Sequence, residues 1–184
     1  GLINVALDDG LKACAEQHFE LFAQLFDADP VIMIAGLKQW MSAVKRKQIG
    51  VKVEYPMMLI IMNKVQGSGK SELASRLLGP LDELASDPIP FSEIADPRSV
   101  ALFSYAAAYV DDAGLMSSRK VADIKSAVTV LYKQNRILGS SDQQRFENRV
   151  SFIATTNENV LALLPDSTGH RRFLLMPMKN GAVE

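Results

Sequence analysis

The sequence predicts a three-layer α/β fold with a small N-terminal helical segment. Three observations carry that expectation. Residues 57–62 (Met-Met-Leu-Ile-Ile-Met) are apolar at every position, the pattern of a strand covered on both faces. The run breaks into Gln66-Gly-Ser-Gly-Lys-Ser71, and a helical pattern follows at once. A β-branched run over 150–156 closes on Asn157, a polar group at the carboxyl end of a strand, where ligands bind in open α/β sheets.

With 184 residues, the chain is long enough for one well-buried domain with a helical appendage, divided here as 1–50 and 51–184. No apolar run approaches the roughly 20 residues that cross a bilayer, so no membrane partner is expected. A formal charge of −1 gives no global basic field, so any nucleic-acid contact must come from a local patch. Cys14 is the only cysteine, which excludes an internal disulfide or a cysteine-rich metal site and suits a cytoplasmic setting. Beginning at Gly1 rather than a methionine, the chain reads as a piece of a longer protein.

In chain order, Leu11, Ala15, Phe19, Phe22 and Phe26 mark one face of a first helix, capped by Asp8 or Asp9. Cys14 and His18 lie near that face and read as packed core. Asp29 as N-cap and Pro30 at the first helical position open a second helix. Its stripe is Met33, Leu37, Trp40, Met41 and Val44, and it ends in Lys45-Arg46-Lys47 before Gly50. Three cations in a last turn suit the helix dipole; a DNA-facing patch is the other reading. After the glycine loop, a helix over 70–78 stops at Gly79-Pro80. Ile89–Ile94 is expected as a short strand, Asp96-Pro97 as the cap of a short helix through Tyr105, and 107–111 as a strand. Ser117 or Ser118 caps a helix carrying Val121, Ile124, Val128 and Leu131. Gly139 to Asp142 supply a hairpin turn, and a last strand runs from Phe173 to Met176.

The strand–loop–helix at 57–78 has the form of a phosphate-binding loop. Gly67 and Gly69 permit tight turning and close approach, while loop and helix N–H groups aim at phosphate. Together with Gln66 and Ser68, these residues are the nucleotide-binding candidates. Lys70 reaches the β- and γ-phosphates, and the Ser71 hydroxyl binds Mg²⁺. Lys64 stands where the pattern usually has its first glycine. Behind such a loop, an apolar strand ending in Asp111-Asp112 offers one carboxylate for the Mg²⁺ shell and a second to polarise the attacking water. The alternative is that paired acids simply begin a loop. The interval from Ser71 to Asp111 leaves room for a further strand and helix, favouring P-loop ATPases with a strand inserted between the two motif strands. Asn157 could position the attacking water, or merely cap a helix near Val160. Arg171 and Arg172, after the Gly169 turn, could clamp a phosphate or pair with local acids such as Asp166. Arg136, Arg145 and Arg149 of the hairpin could grip a nucleic-acid backbone or serve as ordinary surface arginines.

Taken together, Gln66-Gly-Ser-Gly-Lys-Ser71, Asp111-Asp112, Ile124-Lys125, Ile153-Ala-Thr-Thr-Asn157 and Asp166-Ser-Thr-Gly-His-Arg-Arg-Phe173 resemble the P-loop domain of virulence-associated protein E and its relatives. Those phage- and plasmid-type proteins are related to superfamily-3 helicases within the AAA+ ATPases. The first motif is generic to P-loop proteins; the last two, in this order and spacing, are far more specific. The resemblance implies a P-loop NTPase of AAA+ type, forming a homo-oligomeric ring, a hexamer, that moves along or unwinds single-stranded DNA in mobile-element replication. A primase domain in the parent protein is implied as well. It matches Lys70 and Ser71 to ATP and Mg²⁺, Asp111 and Asp112 to the acidic motif, and Asn157 to the sensor. Arg171 or Arg172 matches the finger that reaches a neighbouring subunit's nucleotide, and the 136–149 hairpin matches a DNA-contacting loop. Asp112 stands where many relatives carry Glu. The expected function is thus an ATP-dependent DNA helicase or translocase. A P-loop small-molecule kinase and a non-hydrolysing, nucleotide-dependent assembly module are the alternatives.

Overall fold

A computed structural model of the chain describes residues 9–96, 99–111, 118–136, 143–158 and 172–181. In order they form α1 (Asp9–Gln24), α2 (Pro30–Gln48), β1 (Met58–Met62), α3 (Lys70–Leu78), a 3₁₀ segment (Gly79–Leu84), α4 (Ser92–Ala95), a second 3₁₀ segment (Val100–Ser104) and β2 (Ala107–Val110). Then come α5 (Ser118–Thr129), β3 (Tyr132–Arg136), β4 (Gln143–Glu147), β5 (Ser151–Thr156) and β6 (Phe173–Pro177).

The main sheet is fully parallel in the order β2-β5-β1-β6. β5 therefore lies between the strand of the glycine loop and the strand ending at Asp111, the inserted-strand arrangement expected from the interval between them. Strand side chains alternate between two cores, as the period of two requires. Met58 and Ile60, with Ala108, Val110, Phe152 and Ala154, face Ile94, Leu102, Phe103, Ile124 and Val128. Leu59 and Ile61, with Ala107, Tyr109, Ile153 and Met176, face α2 and α3 through Met33, Leu37, Trp40, Leu73, Ala74 and Leu78. Helices cover both faces, so the three-layer P-loop fold is present and explains why β1 is apolar throughout.

The Asp29 cap forms as its sequence dictates: Oδ1 accepts from Val31 N at 2.8 Å, with Pro30 opening α2. The helix then buries Met33, Gly36, Leu37, Trp40, Ala43 and Val44. A Cβ on Gly36 would stand 2.3 Å from a methyl of Leu174, so the missing side chain is what lets α2 approach β6. Trp40 is 2% exposed, and its indole Nε1 donates to Phe152 O at 3.0 Å, tying α2 to the backbone of β5. Trp40→Ala should cost about 3–5 kcal/mol of stability, which a denaturant melt would read directly.

Several local expectations are corrected. Cys14 and His18 are exposed rather than packed, and His18 Nδ1 lies 2.6 Å from Cys14 O within α1. Met41 is 49% exposed, outside the covered arc of α2. Leu131 lies past the end of α5 and is exposed. The strand expected at Ile89–Ile94 is reduced to isolated parallel bridges of Ala85 with Ala107 and Ile89 with Val110, followed by α4. Pro88 and Pro90 lack the N–H groups that would continue the ladder.

Of the basic run closing α2, Arg46 donates to Lys52 O at 3.0 Å, and Lys47 Nζ donates to Val150 O. Two of the three cations thus bond backbone carbonyls, which favours the helix-end reading over a DNA-facing patch. Burial lowers the Lys47 ammonium from 10.5 to about 8. Between those values the unfolded chain holds a proton that the folded chain releases. Stability relative to Lys47→Met should therefore rise as pH climbs through 8 towards 10.5 and stay flat below 8, as urea midpoints across that range would show.

Candidate nucleotide-binding site

The glycine loop leaves the carboxyl end of β1 through Asn63, whose Oδ1 accepts from Val65 N at 2.7 Å. Asn63 Nδ2 donates to Met178 O at 2.7 Å and Asn180 Oδ1 at 2.9 Å, pinning the start of the loop to the chain leaving β6. The turn then needs left-handed backbone at Gly67 (φ 76°) and Gly69 (φ 87°), the latter the N-cap of α3. Lys64 is exposed and does not share that requirement: among the described residues, Asp82 is the positive-φ residue other than glycine. A lysine in the usual glycine position therefore imposes no backbone strain here.

Lys70 is 7% exposed, and its Nζ donates to Val65 O at 3.0 Å and Ser68 Oγ at 3.1 Å. The loop curls around its own ammonium. Both oxygens are uncharged, and a phosphate arriving in the cradle would offer the ammonium a charge-assisted hydrogen bond. The first turn of α3, with Lys70 and Ser71, adds its N–H groups and the positive end of the dipole.

Ser71 and Asp111 meet across the crevice, with Ser71 Oγ donating to Asp111 Oδ1 at 3.2 Å. Tyr109 OH donates to the same oxygen at 2.7 Å, as does Thr155 Oγ1 at 2.9 Å. Tyr109 OH and Thr155 Oγ1 are 3.3 Å apart. Burial, chiefly, holds the Tyr109 phenol above its ordinary pKa; the hydrogen bonds of Ser71 and Thr155 oppose this and the Asp111 carboxylate adds to it. The phenol is a neutral donor at physiological pH.

A serine hydroxyl and one carboxylate are hard oxygen donors. Among the described residues, no group of three His, Cys, Asp or Glu side chains could hold a metal alone. This set suits Mg²⁺, which retains waters and is shared with substrate phosphates rather than caged by protein. Asn157, at the carboxyl end of β5 between the other two motif strands, keeps its Oδ1 buried with no hydrogen-bond partner among the described residues. An orphaned buried acceptor is costly, and here it sits beside the acidic strand, where a bound water would satisfy it.

The remaining candidates lie apart. Asp112 and Arg171 fall outside the described residues, as do the hairpin turn 137–142 and the side chain of Arg136. Within the hairpin β3–β4, the Arg145 guanidinium lies 3.5 Å over the Tyr132 ring. Arg149, just past the hairpin, pairs with Glu147 at 3.0 Å. Arg172 immediately precedes β6, and Phe173 is level with Met58 at the amino end of β1. It lines a groove of about 380 Å³ with Lys52, Tyr55 and Leu131. The glycine loop leaves the opposite end of β1, roughly 17 Å away for five residues of strand. Arg172 therefore does not reach its own chain's loop.

Three residues of the site were missed in the sequence: Asn63, Tyr109 and Thr155. Tyr109 carried a signal, since two residues before Asp111 on a strand is the same face. Thr155 did not, because cross-strand register is invisible in one sequence.

No curated protein matches the chain. Three solved structures of the NrS-1 C-terminal region share its fold. Their TM-scores are 0.64, 0.62 and 0.57 at 19%, 22% and 21% identity. They cover 87%, 89% and 87% of this chain but only 37%, 37% and 36% of their own, so the chain spans little more than a third of those structures. The virulence-associated protein E-like domain model matches residues 12–184, nearly the whole chain and every described motif. The chain therefore belongs to the virulence-associated protein E-like domain family.

Proposed function

We propose that this domain is a Mg²⁺-dependent ATPase that drives movement along single-stranded DNA, working as a homo-oligomeric ring in the replication of a mobile element. The observation carrying the reading is the buried Lys70 ammonium inside a glycine loop, beside the Ser71–Asp111 contact. Lys70 and the N–H groups of the loop bind the phosphates and stabilise the charge that develops as the γ-phosphoryl transfers. Ser71 and Asp111 would hold Mg²⁺, which would supply further charge neutralisation. Asp112 polarises the attacking water, and the orphaned Oδ1 of Asn157 accepts a hydrogen bond from it, orienting it in line. Arg171 or Arg172 completes the site from a neighbouring subunit; the distance of Arg172 from its own loop supports action in trans. Arg136, Arg145 and Arg149 make the hairpin the DNA-contacting element, backbone-directed and independent of sequence.

ATP turnover by the intact protein, with and without single-stranded DNA, tests the reading. DNA-stimulated phosphate release is the expected result. Transfer of the phosphoryl group to a metabolite would establish a small-molecule kinase instead. Tight nucleotide binding with ring assembly and no turnover would establish a nucleotide-dependent assembly module, although the unstrained Lys64 removes one reason to favour it.

A further inference from the structure

The mechanism proposed above leaves two buried hydroxyls beside Asp111 without a task. Tyr109 is 3% exposed and Thr155 is 2% exposed, and both donate to the one oxygen that Ser71 also reaches. The arrangement follows from the sheet. Tyr109 and Asp111 are two residues apart and share a face, and the pairing of Val110 with Ala154 sets Asp111 opposite Thr155 on that same face. It is the face covered by α3, which brings Ser71. Asp111 itself is exposed and directly follows an outer strand of the sheet, and the two hydroxyls bond its Oδ1 from the neighbouring strand and from its own. Neutral O–H donors fix an oxygen without cancelling its charge, whereas a lysine or arginine in their place would offset the charge that a cation needs.

Resting on the nucleotide-binding reading, we propose that Tyr109 and Thr155 are positioning residues for the metal. They hold the Asp111 carboxylate in the orientation in which, together with Ser71, it would bind the cation of a bound nucleoside triphosphate. Outer partners of this kind orient ligands and commonly govern affinity as strongly as 10–100-fold.

The test uses the intact protein, Mn²⁺ as a spectroscopic probe and a fluorescent non-hydrolysable ATP analogue. Tyr109→Phe and Thr155→Val should each weaken Mn²⁺ binding to the analogue-bound protein by about 10–100-fold, while Thr155→Ser stays near wild type. Affinity for the analogue in EDTA should not change in any variant. Unchanged Mn²⁺ affinity in a folded Tyr109→Phe protein would overturn the proposal. So would a parallel fall in metal-free analogue binding, the mark of a merely structural role. If wild type binds no analogue in EDTA or with metal, the nucleotide-binding reading has failed, and that result is distinct from the other two.

Discussion

Replacing Lys70 with alanine should lower ATP turnover by about 10²–10³-fold, the usual loss when one preorganised charge donor is removed from a transition state. The ammonium is already desolvated, and the loop it binds is shaped by the left-handed turns at Gly67 and Gly69. The protein has therefore met the cost of ordering the lysine before nucleotide arrives, and its charge acts in a site screened from water. Its partners in the loop are a carbonyl and a hydroxyl, both uncharged. Removing the cation should leave a protein that still folds, with a cooperative thermal melt, while turnover collapses. Steady-state phosphate release and a thermal melt on the same preparation check both halves.

The double variant Arg171→Ala, Arg172→Ala should lower turnover further, by about 10³–10⁵-fold, if either residue serves as a finger supplied in trans. Arg172 stands at the amino end of β6, far from the loop at the carboxyl end of β1. This geometry has a distinctive consequence. Mixing the arginine variant with the Lys70→Ala variant should restore part of the turnover, because some interfaces then pair an intact loop with an intact finger. Neither variant recovers alone. Absence of complementation in mixtures that assemble normally would assign the arginines another task, such as local pairing.

Much of this arrangement was legible in the residues because it depends on local chemistry. Asp29-Pro30 opens α2, the Gly79-Pro80 signal ends α3, and apolar runs at β1 and β6 and a β-branched-rich run at β5 mark those strands at nearly their observed bounds. What escaped depends on long-range packing. On α2, Met41 directly follows Trp40 and is turned out of the buried arc, although it belongs to the apolar stripe by composition. On α1, Ala15, Phe19 and Phe22 are only half-buried, so the neighbouring Cys14 and His18 have no core to enter. The site divides the same way. Lys70, Ser71, Asp111 and Asn157 each announce themselves at a strand or helix end, whereas Thr155 gains its contact only from the parallel pairing of β5 with β2.

The most direct test of the central claim is an equilibrium titration of the intact protein with a fluorescent ATP analogue, with and without Mg²⁺, beside Lys70→Ala. Saturable binding at one site per chain, strengthened by Mg²⁺ and lost in the variant, is the predicted result. Absence of binding to the wild-type protein, or binding that Lys70→Ala leaves unchanged, would contradict the assignment of this loop as the nucleotide site.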